Sequence, residues 1–267
     1  MPRLKHSIVA ELPAPEQLDV AQLARDCASG ACDLVVVLGP TASGKTRYAV
    51  RLAEQLGGEI LSADSRQVYR GMDIGTGKDL AEYGTVPYHL IDIAEPGTQY
   101  NVWQFQQDFL QAYADIRSRG AVPILCGGTG MYINAVTRGY DFSEKTPLSA
   151  ARESTPERAG FPQRPFFIGT LVDRDTRNAR IDARLDARLQ EGMVEEIRGL
   201  LERGVPAETL IAYGLEYKFV TLYLQGELPY DEMRGKLAIA IHQFAKRQMT
   251  WFRGMERSGA VIHWVNP

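Results

Sequence analysis

Apolar and polar positions follow two periods along this chain. Residues 34–39, LVVVLG, form an unbroken apolar run, the pattern of a strand covered on both faces of a parallel sheet. A helical pattern follows from 45 to about 56 and stops at Gly57 and Gly58, a helix-ending signal. EILSAD, residues 59–64, reads as a second strand and HLIDI, residues 89–93, as a third. A helical stretch over 102–118 ends at Gly120, and AVPILCGG, residues 121–128, is another buried run closed by paired glycines. Strands alternating with helices at this spacing predict βαβ units, hence an α/β fold with a parallel sheet flanked by helices.

After Tyr132 the pattern changes. Residues 141–165, DFSEKTPLSAARESTPERAGFPQRP, are rich in proline, serine and charge and have little apolar periodicity. RPFFIGTLVD, residues 164–173, reads as a returning strand. Helical patterns then cover 176–203, 210–225 and 230–253, and VIHWV at 261–265 reads as a last short strand. At the other end, Pro13 and Pro15 interrupt a segment that offers one short amphipathic helix within 14–30. The expected organisation is an N-terminal extension over 1–32 and a phosphate-loop core over 33–140. A reduced, flexible insertion follows over 141–165, and the return strand and C-terminal helices over 166–267 complete the core. No internal repeat is evident.

Composition adds limits. With 267 residues, 45% hydrophobic and 24% charged, the chain has the balance of a soluble globular protein. No apolar run approaches the roughly 20 residues of a membrane span, and MPRLKHSIVAELPAPEQ lacks the apolar core of a secretory signal. The three cysteines, Cys27, Cys32 and Cys126, form no Cys-x-x-Cys pair. Reduced thiols in a cytoplasmic protein are expected. A net charge of −3 argues against a surface that is basic throughout, while leaving room for a local basic face.

Candidate chemistry begins at Gly39-Pro40-Thr41-Ala42-Ser43-Gly44-Lys45-Thr46, which fits G-x-x-x-x-G-K-[ST] between a predicted strand and a predicted helix. Glycines let backbone amides turn toward an anion, and the helix N-terminus adds positive potential. Lys45 supplies a point charge for a phosphate chain, Thr41 and Ser43 are further donors, and Thr46 offers a hydroxyl ligand to Mg²⁺. Phosphate-transferring enzymes of this type add a strand-end aspartate that helps hold the metal. Both Asp64 and Asp92 qualify. His89 precedes an apolar strand without a second ligand at metal spacing, so a structural role is expected.

SADSRQVYRGMDIGTGK (62–78), taken with GPTASGKT, VPYHLID and GGTGMY, resembles the tRNA dimethylallyltransferases. The likeness resumes in RIDARLDARLQEGMVEEIRGLL, YLQGELPYDEM and FAKRQMTWFRG. It implies transfer of a dimethylallyl group from dimethylallyl diphosphate to the exocyclic amine of an adenosine beside the anticodon, with Mg²⁺ and with the anticodon stem-loop of tRNA as partner. The phosphate loop would then hold the donor's diphosphate. That amine is a weak nucleophile, because its lone pair is delocalised into the ring. A carboxylate that orients it and takes its proton answers that weakness, and the resemblance gives this role to Asp64. Ser65, Arg66 and Gln67 match positions expected to contact the target nucleotide, and Thr129 a threonine near the bridging oxygen of the diphosphate. Arg180 and Arg184, four apart on one predicted helix face, are candidates to close over it. Lys246, Arg247 and Arg253, with Trp251, are candidate RNA contacts; Phe244, Met249 and Phe252 among them equally fit core packing. Asp73 and Lys78 are expected to order the loop over the acceptor. A monomer is expected.

Two departures from the family pattern stand out. The helical insertion that follows the GGT-x-x-Y strand is reduced to 141–165, and GLEYKF (214–219) replaces a shorter Gly-Tyr-Lys/Arg pattern. Transfer to a free adenine nucleotide such as AMP, and a phosphotransferase or nucleotide-binding protein, are the alternative readings.

Overall fold

A computed structural model describes residues 13–142 and 160–267; most of the expected insertion at 141–165, and residues 1–12 of the N-terminal extension, lie outside them. Six parallel strands form one sheet in the order β3-β2-β4-β1-β5-β6. They are β1 Leu34–Leu38, β2 Gly58–Ser62, β3 Tyr88–His89, β4 Val122–Gly127, β5 Pro165–Thr170 and β6 Ile262–Val265. Central β1 is buried at every residue and pairs Val36 with Leu125 of β4 and with Phe167 of β5. This is why LVVVL shows no polar alternation: both faces of the sheet are covered.

The two faces receive alternate residues of β1, as the pleat requires. Leu34, Val36 and Leu38 join Phe105 and Phe109 of α3 (Val102–Ser118), Ile133 of α4 (Gly130–Thr137) and Phe252 of α9 (Tyr230–Arg257). Val35 and Val37 face α2 (Lys45–Leu56) and α1 (Val20–Ser29), through Val50, Leu52 and Leu23. Residues 13–32 pack on this core: Leu23 is buried, and the Glu16 amide donates to the Trp264 carbonyl of β6 at 2.6 Å. A capping box at Asn101 and Gln104 sets the start of α3.

Beside the sheet stands a helical layer of α5 (Arg174–Glu191), α6 (Met193–Glu202), α7 (Ala207–Tyr213), α8 (Leu215–Leu224) and α9. Its core joins Ile181, Leu185, Ile197, Val220 and Leu237 to Tyr69 and Met72 from the loop after β2. Two helices expected to be continuous are each divided. The 176–203 stretch breaks at Gly192, which takes φ 105°, a left-handed conformation that glycine adopts readily. The 210–225 stretch breaks at Gly214, against which Arg66 packs; a Cβ there would lie 3.2 Å from the arginine Nε.

The expected strand at 89–93 is cut to Tyr88–His89. Leu90 and Asp92 take positive φ, 65° and 56°, and the chain leaves the sheet to bond the loop after β2. The Asp92 amide donates to the Gln67 carbonyl at 3.1 Å and the Ile93 amide to the Val68 carbonyl at 2.8 Å. Lys78, 1% exposed, draws the turn inward by donating to Asp92 and Asp73 and, at 2.7 Å, to the Tyr69 carbonyl. Asp73 and Lys78 thus order the loop after β2.

Candidate active site

The C-terminal ends of β1, β2 and β4 open onto a cavity of about 490 Å³, closed on the far side by α5, α8 and α9. Crevices beyond strand ends are where open parallel sheets bind ligands. The phosphate loop forms the floor. No side chain caps the N-terminus of α2, so its first amides remain for an anion. Close packing fixes the loop: a Cβ on Gly39 would lie 2.3 Å from the Thr170 hydroxyl, so no larger residue fits.

Lys45, Thr46 and Thr41 reach the cavity. The Lys45 amine approaches the Pro40 carbonyl at 3.5 Å, and burial lowers its pKa from the ordinary lysine value. Ser43 does not reach it: its hydroxyl is buried against that of Thr170 at 2.7 Å. Ala42, with φ 61°, lines a small recess shared with Arg184 and Arg188.

Across the floor, Asp64, Ser65, Arg66 and Gln67 follow β2, all on the cavity. An Asp64 oxygen accepts the Arg66 amide at 2.9 Å, a local turn that keeps the carboxylate at the strand end. Ser65 donates its amide to the Thr129 hydroxyl at 3.1 Å, and the Thr129 amide donates to the Ala63 carbonyl at 3.1 Å. Gln67 accepts from the Ser62 hydroxyl and donates to the Gly77 carbonyl, both at 3.1 Å. Of the two candidate metal-binding aspartates, Asp64 lines the cavity; Asp92 is held by Lys78 away from it. Cys126 also lines it, but burial pushes the thiol up to about 12, which keeps it protonated at neutral pH.

Among the arginines of α5, Arg184 faces the cavity and donates to the Gly77 carbonyl at 3.3 Å and to Asp79. Arg180 is exposed and off the cavity, one turn nearer the helix start; the residue that joins Arg184 is Arg188, one turn later. Among the α9 candidates, Arg247 lines the cavity with Phe244 and Trp251, while Lys246 is exposed and Arg253 is paired with Glu256 at 2.8 Å. Phe252 is core. The helix therefore serves both uses, cavity wall on one face and packing on the other.

Sequence reasoning missed three residues. Gln248 is buried and bridges two loops, accepting the Thr41 amide at 2.8 Å and donating to the Gly128 carbonyl at 3.1 Å. Glu196 accepts the amides of Asp73 and Ile74 at 2.7 Å and of Gly75 at 3.1 Å, and the Tyr217 hydroxyl at 2.8 Å. It thereby fixes the loop whose Gly77 carbonyl holds Gln67. Arg188 is the third. The only signal for it was a third arginine at the four-residue spacing in RIDARLDARLQ.

For Mg²⁺, Thr46 supplies a hydroxyl on the cavity and no cluster of three metal-binding side chains exists among the described residues. That donor set suits an ion carried largely by phosphate oxygens and water. Among the described residues, no helix is long and apolar enough to cross a membrane.

Fold and cavity together define an α/β enzyme class with a phosphate-loop motif and a carboxylate on one crevice. The comparisons with known proteins make the class specific. A model described as IPP transferase matches residues 67–159 and 142–255, and one described as Isopentenyl transferase matches 32–85. The chain is 50% identical to tRNA dimethylallyltransferase 1 of Porphyromonas gingivalis, over 87% of this chain and 93% of the relative. It is 49% identical to tRNA dimethylallyltransferase 1 of Parabacteroides distasonis, over 88% and 92%. A crystal structure of the tRNA isopentenylpyrophosphate transferase from Bacillus halodurans superimposes with TM-score 0.77 at 32% identity, covering 88% of this chain and 89% of that one. A eukaryotic dimethylallyltransferase acting on tRNA shares the fold, with TM-score 0.73 at 19% identity over 88% and 74% of the two chains. The chain belongs to the tRNA dimethylallyltransferase family.

Proposed function

We propose that the protein transfers the dimethylallyl group of dimethylallyl diphosphate to the exocyclic amine of an adenosine next to the tRNA anticodon, releasing pyrophosphate. The observation that carries this reading is one cavity holding Lys45 and Thr46 of the phosphate loop, Asp64 at the end of β2 and Thr129 after β4. Asp64 accepts a proton from the amine as the carbon–nitrogen bond forms and the carbon–oxygen bond to the diphosphate breaks. Charge growing on the leaving diphosphate is met by loop amides, Lys45 and Arg184. Mg²⁺, when bound with Thr46, adds positive charge there. Thr129, tied to Ser65, lies between the acceptor side and the leaving-group side. Ser65, Arg66 and Gln67 hold the nucleotide, and Arg247 with Trp251 and Phe244 at the rim meets RNA.

Transfer to tRNA rather than to a free nucleotide is supported by the relatives, named for tRNA and matched over nine-tenths of their length. Free cysteines among the described residues support the cytoplasm. The test offers labelled dimethylallyl diphosphate and Mg²⁺ to the protein with unmodified tRNA or with AMP. Label in tRNA, abolished by Asp64→Asn, is expected. Label in AMP alone, or ATP consumption without prenyl transfer, overturns the reading.

A further inference from the structure

Five cationic side chains, Lys45, Arg66, Arg184, Arg188 and Arg247, line the cavity against two carboxylates, Asp64 and Glu216. A protein of net charge −3 thus concentrates positive charge at one place. Within that set the guanidinium groups of Arg184 and Arg188 flank Gly77: a Cβ built on this glycine would lie 1.4 Å from Nη2 of Arg188 and 2.7 Å from Nη2 of Arg184. Gly77 is bare because two arginines pass over it.

The two arginines differ in what they bond. Arg184 is committed to Asp79 and to the Gly77 carbonyl. The Arg188 guanidinium makes no hydrogen bond or ion pair with the described residues; desolvation lowers its pKa, followed by the charge of Arg184. A half-buried guanidinium that lines the cavity without a bonded partner leaves its N–H donors open to an anion there. Arg188 and Glu216 line the cavity with Lys45 and share a small recess with Thr41, Ala42 and Arg184. Glu216 belongs to GLEYKF and is itself unbonded to any arginine, its pKa raised by burial.

We propose that Arg188 is a second arginine of the diphosphate grip, and that Glu216 offsets its charge while no diphosphate is bound. The inference rests on the dimethylallyl-transfer reading and adds a contact to it. Arg188 presents fixed N–H donors to diphosphate oxygens from the α5 side, opposite the amides of the phosphate loop. Glu216 then competes with the diphosphate for the same cation, so the two residues affect affinity in opposite directions.

The test measures pyrophosphate binding with Mg²⁺ by calorimetry, together with donor KM, tRNA KM and thermal unfolding. Arg188→Met, which keeps the packing of the stem, is expected to weaken pyrophosphate binding and raise donor KM about tenfold to a hundredfold, with tRNA KM within about twofold. Arg188→Lys should fall between wild type and Arg188→Met, and decides the matter if the methionine variant unfolds. Glu216→Gln is expected to tighten pyrophosphate binding about fivefold, the effect of removing one nearby negative charge. Wild-type affinity in both Arg188 variants, or a rise confined to tRNA KM, overturns the role of Arg188. Weaker binding in Glu216→Gln overturns the role of Glu216. Wild-type protein that transfers no dimethylallyl group overturns the underlying reading instead, and pyrophosphate binding, which needs no acceptor, is read separately.

Discussion

The Ser65 amide donates to the Thr129 hydroxyl at 3.1 Å, joining the residue after Asp64 to the residue that starts α4. The bond spans neighbouring parallel strands, since Ser62 of β2 pairs with Cys126 of β4. A carboxylate on one strand end and a hydroxyl on the next are thereby held at one spacing, with the phosphate loop below. Prenyl transfer asks for that: an amine and a leaving oxygen kept in line across one carbon.

Thr129→Val keeps the shape of the side chain and leaves the Ser65 amide without its acceptor. The expected result is a fall in kcat of about tenfold to a hundredfold, with a stability loss of about 1 kcal/mol in urea unfolding. Thr129→Ser should restore most of both. A valine variant with wild-type kcat would remove Thr129 from the chemistry.

Asp64→Asn retains the turn but cannot take a proton at neutral pH. Transfer to tRNA should fall by about 10²–10⁴-fold, while pyrophosphate titrations remain as in wild type. Loss of pyrophosphate binding instead would make Asp64 a metal-site residue.

Gly127→Ala tests the approach of β4 to β2. Its Cβ would lie 2.3 Å from the Ala63 carbonyl oxygen, which is backbone and cannot rotate away. A loss of about 1–3 kcal/mol is expected, and because Ala63 adjoins Asp64, kcat should fall with it. Unchanged stability would show that the strands yield.

Lys78→Met removes the buried amine that gathers Asp73, Asp92 and the Tyr69 carbonyl. The two carboxylates are half-exposed and recover water, so the expected cost is about 1.5–3 kcal/mol. The KM for tRNA should rise, because the loop it orders carries Gly77, the partner of Gln67.

Acid should weaken the protein through Glu59. Hydrogen bonds from Arg119, at 3.1 and 2.8 Å, and then from His89 hold its pKa below the ordinary 4.5. A depressed carboxylate stabilises the fold fully above 4.5, and that contribution fades as pH falls through the folded value. Thermal unfolding of wild type and Glu59→Gln should therefore differ by a constant amount near neutrality and converge in acid. A gap that widens in acid would reverse the assignment.

The parallel sheet, α3 and the phosphate loop were legible because local signals and burial agree there: LVVVL is apolar throughout, and Val102–Ser118 carries its own capping box. Asp64 was legible from its neighbours in the chain. Breaks at Gly192 and Gly214 were not, since helical periodicity continues across both: Gly192 ends its helix through a positive φ, and Arg66 of the sheet-side loop packs on Gly214. The shortened β3 escaped notice because a lysine eleven residues upstream of His89, not the strand's own pattern, turns the chain out of the sheet. Arg188, Gln248 and Glu196 act over long sequence separations on backbone or open space, for which one sequence carries little sign.

Helix α9 supplies Phe244, Arg247, Gln248 and Trp251 to the cavity, and the strand that follows it, β6, completes the sheet edge beside β5. On the ribosome the phosphate loop emerges well before these residues. A half-made chain therefore exposes a loop able to meet anions but lacks the wall that separates it from bulk water. Catalytic competence therefore waits on the synthesis of α9, and any truncation reaching α9 should yield a protein able to contact phosphate yet unable to shield an allylic cation from hydrolysis.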